Sequence, residues 1–239
     1  MLKKIFVYVG SRNKDSRIFD LTNQIISRFK NLCSKEIELQ IDIYSPLNTQ
    51  LNPSTGCRQC FNLGKCPSEL KDKPDDGEMI KRKMKEADYI VLASPVYSHN
   101  VSSDMKVLVD RLSYWAHLYT LVKKAGIVIS TAESNGATFV TDYLEKTLSF
   151  MGASVIHKTN FIKTESFLAD TYVEETVDSM LHVLDSSYKF TPTDYQETTF
   201  NTLKIILSQY EQQHFEHKYW VENHLFDCDT LEEYFESYA

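Results

Sequence analysis

The stretch KKIFVYVGSRNKDS, residues 3–16, joins a short apolar run to a polar loop, and it decides the fold class. Its apolar part, residues 5–9, is unbroken, and similar unbroken runs occur at 89–93 and 127–129. Such runs are typical of central parallel strands whose two faces are both covered by helices. The stretch therefore predicts the first strand of a parallel sheet, placed in the interior of that sheet.

The patterns that follow extend this strand into an α/β sheet. Residues 37–43 alternate apolar and polar side chains, which predicts an edge strand, and residues 153–156 indicate a weaker fifth strand. Helical periods lie between the strands, at 18–32, 105–112 and 139–151. Together these patterns predict a doubly wound, five-stranded parallel sheet in the order 2-1-3-4-5, with an unrelated α/β layout as the alternative.

The pattern changes beyond about residue 165. Apolar spacing predicts one helix over 173–184, a break near 191–192 and a second helix over 200–210. The segment has too many large apolar side chains to be a linker. We therefore expect an α/β domain over 1–165 and a C-terminal helical extension over 166–239, packed on the core or on a dimer interface.

Composition excludes several classes of protein. The 239 residues include 26 Lys and Arg against 33 Asp and Glu, a net charge of −7 without a block of like charge, so we expect no nucleic-acid partner. No apolar run approaches the roughly 20 residues of a membrane span. The N-terminus is typical of a strand rather than a signal peptide, which predicts a cytoplasmic protein without membrane association.

Three polar loops follow the predicted first, third and fourth strands, at residues 10–16, 94–100 and 130–137. In an open parallel sheet, ligands bind outside the carboxyl ends of the strands, close to the point where the strand order reverses. Each loop also has the composition of an ordinary turn. We expect the three loops to form one ligand site.

The first loop has features of an anion site. The N–H groups at a helix start attract an anion, the hydroxyls of Ser11 and Ser16 add donors, and Arg12 or Arg17 supplies charge. The loop matches neither the P-loop pattern nor the glycine-rich dinucleotide pattern. A phosphate site and an ordinary helix start capped by Asp15 or Ser16 both remain open.

Several motifs, taken in order, resemble the NADPH-dependent FMN reductase branch of the flavodoxin-like superfamily. They are a loop beginning Gly10-Ser11-Arg12, the sequence Ser-Pro-Val-Tyr at 94–97, a helix carrying Met105, Lys106, Asp110 and Arg111, and the cysteine-containing segment at 56–66 with Asp75-Asp76. The resemblance covers about residues 1–160 and is strongest to multimeric flavodoxins and iron–sulfur-flavoprotein-like reductases. It implies a flavodoxin-like fold, FMN as cofactor, NAD(P)H as co-substrate, and a homodimer or homotetramer.

The resemblance also implies which residues hold FMN: the first loop its phosphate, and the other two loops its ring. The residues are Ser11, Arg12, Asn13, Ser16, Pro95, Val96, Tyr97, Ser98, Asn100, Thr131, Ala132, Glu133, Ser134, Asn135 and Gly136. No side chain is assigned as a catalytic nucleophile, because the flavin carries the chemistry. Tyr97 and His99 are the candidates for donating a proton to the substrate.

Three cysteines, Cys57, Cys60 and Cys66, resemble a cluster-binding loop that lacks one ligand. The missing cysteine corresponds to about Leu63. A four-iron cluster and a structural zinc ion each require about four ligands. We therefore expect no metal. Reduced thiols that shape a loop near the flavin, a metal or cluster, and redox-active thiols all remain open.

The predicted function is an FMN-dependent NAD(P)H oxidoreductase that passes hydride through the flavin to a small-molecule or peptide acceptor. The candidate acceptors that the resemblance implies are a quinone, a flavin, a nitro or azo compound, or an activated alkene such as a dehydroamino acid in a peptide. One alternative is a flavodoxin-like electron carrier, which the extra helices and modest acidity disfavour. The other alternative is an iron–sulfur flavoprotein that uses Cys57, Cys60 and Cys66.

Overall fold

The computed structural model describes residues 1–70 and 74–238. Its strands are β1 (Leu2–Val9), β2 (Glu38–Tyr44), β3 (Tyr89–Pro95), β4 (Ala125–Ala132) and β5 (Ser154–Ile162). They form one sheet in the order β2-β1-β3-β4-β5, and each neighbouring pair is parallel. The predicted strand order is confirmed, and β2 lies at an edge of the sheet as its alternating pattern indicated.

The helices of the described residues alternate with the strands and then continue into the C-terminal segment. They are α1 (Arg17–Leu32), α2 (Gln59–Leu63), α3 (Gly77–Glu86), α4 (Ser103–Leu112), α5 (Ala137–Phe150), α6 (Ala169–His182), α7 (Asp194–Ser208), α8 (Phe215–Glu222) and α9 (Leu231–Ser237). The helical periods predicted between the strands correspond to α1, α4 and α5. The sequence pattern did not reveal α3, because this largely charged helix buries only two large apolar residues, Ile80 and Met84.

Two hydrophobic layers cover the two faces of the sheet. On one face, Phe6 and Leu92 pack with residues of α3, α4 and α5. On the other face, Ile5 and Val91 pack with residues of α1 and α6. Successive strand residues point to opposite faces, so a strand covered on both sides needs an apolar residue at every position. This explains the unbroken runs in β1, β3 and β4.

The last three helices form a third hydrophobic cluster that extends the core. Phe200 and Trp220 stack with ring centroids 5.3 Å apart, and Tyr119, which precedes β4, packs against both. Trp220 Nε1 donates to the carbonyl oxygen of His117 at 2.6 Å, and Gln196 Nε2 donates to that of Ser149 at 3.0 Å. These contacts lie close to the start of β4 and the end of α5, which is the amino-terminal edge of the sheet. The division into 1–165 and 166–239 stays a prediction.

A buried ionic network ties the segment after α2 to α4. The Arg111 guanidinium contacts Asp75 and lies 2.7 Å from Glu69, which also pairs with Lys81 at 2.7 Å. The side chains of Arg111 and Asp75 are 3% and 1% exposed. Burial alone raises the pKa of Asp75, but hydrogen bonds from Arg111 and from two backbone N–H groups outweigh it and lower that pKa.

None of the helices in residues 1–70 and 74–238 combines the length and the apolar character that a bilayer-spanning helix needs.

We expect Asp75→Asn to lower the free energy of unfolding at neutral pH by on the order of 3 kcal/mol, since it removes one partner of a buried ion pair. It should also flatten the loss of stability in acid. A carboxylate with a depressed folded-state pKa adds stability above its unfolded pKa of about 3.9, and this contribution is lost as the pH falls through the folded pKa. Urea titrations between neutral pH and about pH 3 measure both effects.

The matched control is Asp104→Asn, whose partner Arg12 has a side chain that is 73% exposed. Exposed ion pairs contribute about 1 kcal/mol or less, so this variant should keep the wild-type acid slope. Equal acid slopes for wild type and Asp75→Asn would contradict the role given to the buried network.

Candidate functional site

A cleft of about 220 Å³ opens at the carboxyl ends of β1, β3 and β4. It is lined by Ser11, Asn13, Ser16, Arg17, Ile18, Pro95, Val96, Tyr97, Thr131, Ala132 and Glu133. The helix that follows β1 packs on one face of the sheet, and the helix that follows β3 packs on the other. The strand order therefore reverses between β1 and β3, and the loops after these two strands diverge. All three predicted loops contribute to this one cleft.

The first loop leaves the start of α1 without a side-chain cap. Ser16 is the N-cap residue, but its hydroxyl accepts no hydrogen bond from the helix. Its Oγ lies instead 3.2 Å from Oγ of Ser11, a residue that is 3% exposed. The first-turn N–H groups of a helix have no partner within the helix and carry its positive partial charge. This end of the cleft is therefore suited to an anion.

Arg17 lines this cleft, whereas Arg12 does not, and Arg12 stays a prediction as a phosphate ligand. Arg17 forms an ion pair with Glu133, and its buried Nη1 has no hydrogen-bond acceptor among the described residues. Arg12 turns away to Asp104, to which its Nε and Nη2 donate at 3.0 and 2.8 Å. The sequence offered both arginines as the cation, and the choice depends on where α4 places Asp104.

The second loop is a tight turn of fixed shape. The N–H of Tyr97 donates to the carbonyl oxygen of Asn100 at 2.9 Å, and the N–H of Asn100 donates to that of Tyr97 at 3.0 Å. The two residues between them, Ser98 and His99, have φ of 50° and 59°. Left-handed backbone is uncommon for residues other than glycine, so the surrounding contacts must hold it. Tyr97 lines the cleft, whereas the other three side chains lie outside its lining.

His99 fixes the position of this turn against the third loop. Its ring packs edge-on against Phe139, with centroids 5.8 Å apart. Gly136 lies beneath it with φ of 86°, and a Cβ at Gly136 would come within 2.9 Å of His99 Nδ1 and 3.1 Å of Val96 Cγ1. The third loop thus needs glycine at this position both for its backbone conformation and for the close approach of the second loop.

The remainder of the third loop divides between the cleft and the surface. Thr131 and Ala132 are buried and line the cleft. Glu133 is exposed and pairs with Arg17 and Lys163; hydrogen bonds from these cations lower the pKa of Glu133, with that from Lys163 the strongest. The side chains of Ser134 and Asn135 are exposed and lie outside the lining.

The cysteines lie around a separate cavity. Cys57, Cys60 and Cys66 line a space of about 60 Å³ that shares no residue with the cleft. Leu63, the position predicted to correspond to the missing cysteine, is 60% exposed. Cys228 is buried among α7, α8 and α9. In the part of the chain that the structure describes, no three His, Cys, Asp or Glu side chains converge in a way that would hold a metal ion.

Comparison with known proteins identifies the family. The sequence profile of the NADPH-dependent FMN reductases matches residues 3–166. The chain belongs to this family. It is 38% identical over 104 residues to an iron–sulfur flavoprotein of Methanocaldococcus jannaschii, an overlap of 43% of this chain and 51% of that protein. It is 30% identical over 130 residues to an iron–sulfur flavoprotein of Archaeoglobus fulgidus, an overlap of 53% of this chain and 57% of that protein. The chain thus spans about half the length of the curated relatives it matches.

Solved structures show the same fold at low identity. RosB with bound 8-demethyl-8-formylriboflavin-5′-phosphate aligns with a TM-score of 0.62 at 14% identity, covering 87% of this chain and 88% of that one. An FMN-dependent NADH-azoreductase of Bacillus anthracis in complex with FMN aligns with a TM-score of 0.60 at 14% identity. The alignment covers 77% of this chain and 100% of that one. The flavodoxin-like fold is confirmed. The family to which the chain belongs is that of the NADPH-dependent FMN reductases, in agreement with the predicted FMN and NAD(P)H.

We expect Gly136→Ala to destabilise the protein by roughly 1–3 kcal/mol more than Gly56→Ala. Both glycines have positive φ, 86° and 71°, so both variants carry a similar backbone penalty. An added Cβ meets His99 and Val96 at Gly136, whereas nothing lies within 4 Å of it at Gly56. Denaturant titration of the two variants measures the difference. Equal losses would contradict the close packing of the second loop on the third.

Proposed function

We propose that the chain is an FMN-dependent NAD(P)H oxidoreductase that holds FMN in the cleft between its three loops. The observation that carries this proposal is the buried Nη1 of Arg17, which has no acceptor among residues 1–70 and 74–238 and shares the cleft with the paired hydroxyls of Ser11 and Ser16 at an uncapped helix start. A guanidinium, two hydroxyls and helix N–H groups are the donors that a phosphate dianion takes. The family match over residues 3–166 supports the same assignment.

The other end of the cleft fits a flat ring. Pro95, Val96 and Ala132 give it apolar walls, and Tyr97 gives it an aromatic group that is 58% exposed. The N–H groups of Val96 and Tyr97 already bond to carbonyl oxygens. We propose the segment 133–136 as a source of donors for the polar edge of the ring. Ser98 and Asn100 stay predictions as ring contacts.

In the proposed reaction the protein binds, orients and provides a proton. FMN, when bound, supplies hydride transfer from NAD(P)H to the acceptor. The hydroxyl of Tyr97 stands at the cleft and is the side chain we propose as proton donor to the acceptor. His99 is less suited, because it lies outside the lining and packs against Phe139.

The acceptor in this proposal is a small molecule or a peptide group: a quinone, another flavin, a nitro or azo compound, or an activated alkene such as a dehydroamino acid. An open cleft with Tyr97 at its mouth supports an acceptor that approaches from solvent. The C-terminal extension contributes no described residue to the lining of the cleft. The homodimer or homotetramer and the cytoplasmic location stay predictions.

We expect Arg17→Ala to weaken FMN binding by about tenfold to a hundredfold, the effect of losing one charge-assisted hydrogen bond of roughly 1.5–3 kcal/mol. Riboflavin, which lacks the phosphate, should bind wild type and variant equally. Arg12→Ala is the matched control, because that guanidinium pairs with Asp104 and does not line the cleft. Fluorescence titration measures all three proteins with both ligands. A larger loss in Arg12→Ala than in Arg17→Ala would contradict the assignment of the phosphate end.

We expect NAD(P)H, added without oxygen, to bleach the flavin absorbance of the FMN-loaded protein, and a quinone or azo dye to restore it. Tyr97→Phe should slow the restoring step by about tenfold to a thousandfold if the hydroxyl gives the proton, in keeping with the range for general acid catalysis. The bleaching step should be unchanged, since it needs no proton from that hydroxyl. Stopped-flow absorbance separates the two steps. A flavin that binds but does not bleach would favour the electron carrier.

A further inference from the structure

The cysteine cavity has a property that a simple packing defect would lack. Arg111, only 4% exposed, forms part of its wall, and the Nε–H of that guanidinium has no acceptor among residues 1–70 and 74–238. The two Nη nitrogens of Arg111 donate hydrogen bonds to Asp75, Glu69 and the carbonyl oxygen of Asn52. Arg111, whose charge is paired with Asp75 and Glu69, therefore keeps one donor without an acceptor among the described residues in the wall of a space that three cysteines line.

A four-iron cluster does not fit this cavity as the described residues form it. Three thiols line the space, and the fourth position is the exposed Leu63. Cys33 ends α1 and Cys228 lies in the C-terminal cluster, so neither lines the cavity. A four-iron cluster takes four thiolates. The described residues therefore do not supply the four thiolates of the cluster-binding loop that this segment resembles.

We propose that Cys57 and Cys60 form a reversible disulfide, so that this cavity is a thiol–disulfide redox site. The two residues have the Cys-x-x-Cys spacing of dithiol redox pairs. They belong to one short segment: Cys60 lies in α2, and Arg58, its N-cap residue, separates the helix from Cys57. This inference is independent of the function proposed for the cleft.

The two thiols differ in the way that an attacking and a resolving cysteine must differ. Cys57 is exposed, and hydrogen bonds from the Gln59 N–H and the Thr55 side chain lower the pKa of its thiol. Cys60 is half-buried against the core, and burial raises the pKa of its thiol. Cys57 is therefore the nucleophile.

The reaction with a small disulfide balances without another reagent. The Cys57 thiolate attacks one sulfur of glutathione disulfide, breaks its S–S bond and releases the first glutathione. Cys60 then loses its proton and attacks the Cys57 sulfur, which releases the second glutathione. Two cysteine thiols are oxidised, one glutathione disulfide is reduced, and the two protons lost by the cysteines end on the two glutathione thiols.

The test counts thiols in the full-length protein after incubation with glutathione disulfide, by alkylation and intact mass. Wild type, with five cysteines, should lose two thiols and recover them in dithiothreitol. Cys66→Ser, the matched control, should lose two as well. Cys60→Ser should instead retain one glutathione on Cys57, and peptide mapping should place the wild-type bond between Cys57 and Cys60.

Three results would overturn the proposal. The first is that all five thiols remain after glutathione disulfide. The second is a disulfide that joins Cys57 to Cys66, with Cys60→Ser still losing two thiols. The third is a four-iron cluster that forms from iron and sulfide without oxygen and survives desalting. Circular dichroism of each variant confirms that a missing reaction does not reflect a missing fold.

Discussion

The start of α1 is the constraint on which the site depends. Because β1 lies inside the sheet and its helix crosses to one face, the first turn of α1 points its N–H groups into the gap that β3 and β4 also border. Ser16 leaves those groups without a side-chain cap and pairs with Ser11 instead. The position of the cleft and its suitability for an anion follow from this arrangement.

Most of the fold was predictable because it rests on local patterns. Unbroken apolar runs marked β1, β3 and β4, and strict alternation marked the edge strand β2. Helix α3 was not found, since its short apolar stripe is surrounded by charge. Its Lys81 belongs to the buried ionic network around Arg111. The pairs of Arg111 join groups more than 30 residues apart in the chain, and such pairs leave no periodic signal.

The candidate site was predictable at the level of loops and less so at the level of side chains. All three loops reach the cleft, yet Arg12 and Arg17 have the same chemistry, and their partners Asp104 and Glu133 lie about a hundred residues away in the chain. Spacing also did not reveal the left-handed turn at 98–99, because serine and histidine seldom adopt it. The contacts that hold this turn come from its own two hydrogen bonds, from Phe139 of α5 and from Gly136 of the third loop.

A crystal structure of the protein with FMN would locate the phosphate relative to the two candidate arginines. We expect phosphate oxygens within hydrogen-bond distance of Ser11, Ser16, the first-turn N–H groups of α1 and Arg17 Nη1, with the Arg12–Asp104 pair intact. A phosphate bound to Arg12, with Asp104 displaced and the start of α1 unoccupied, would contradict this expectation.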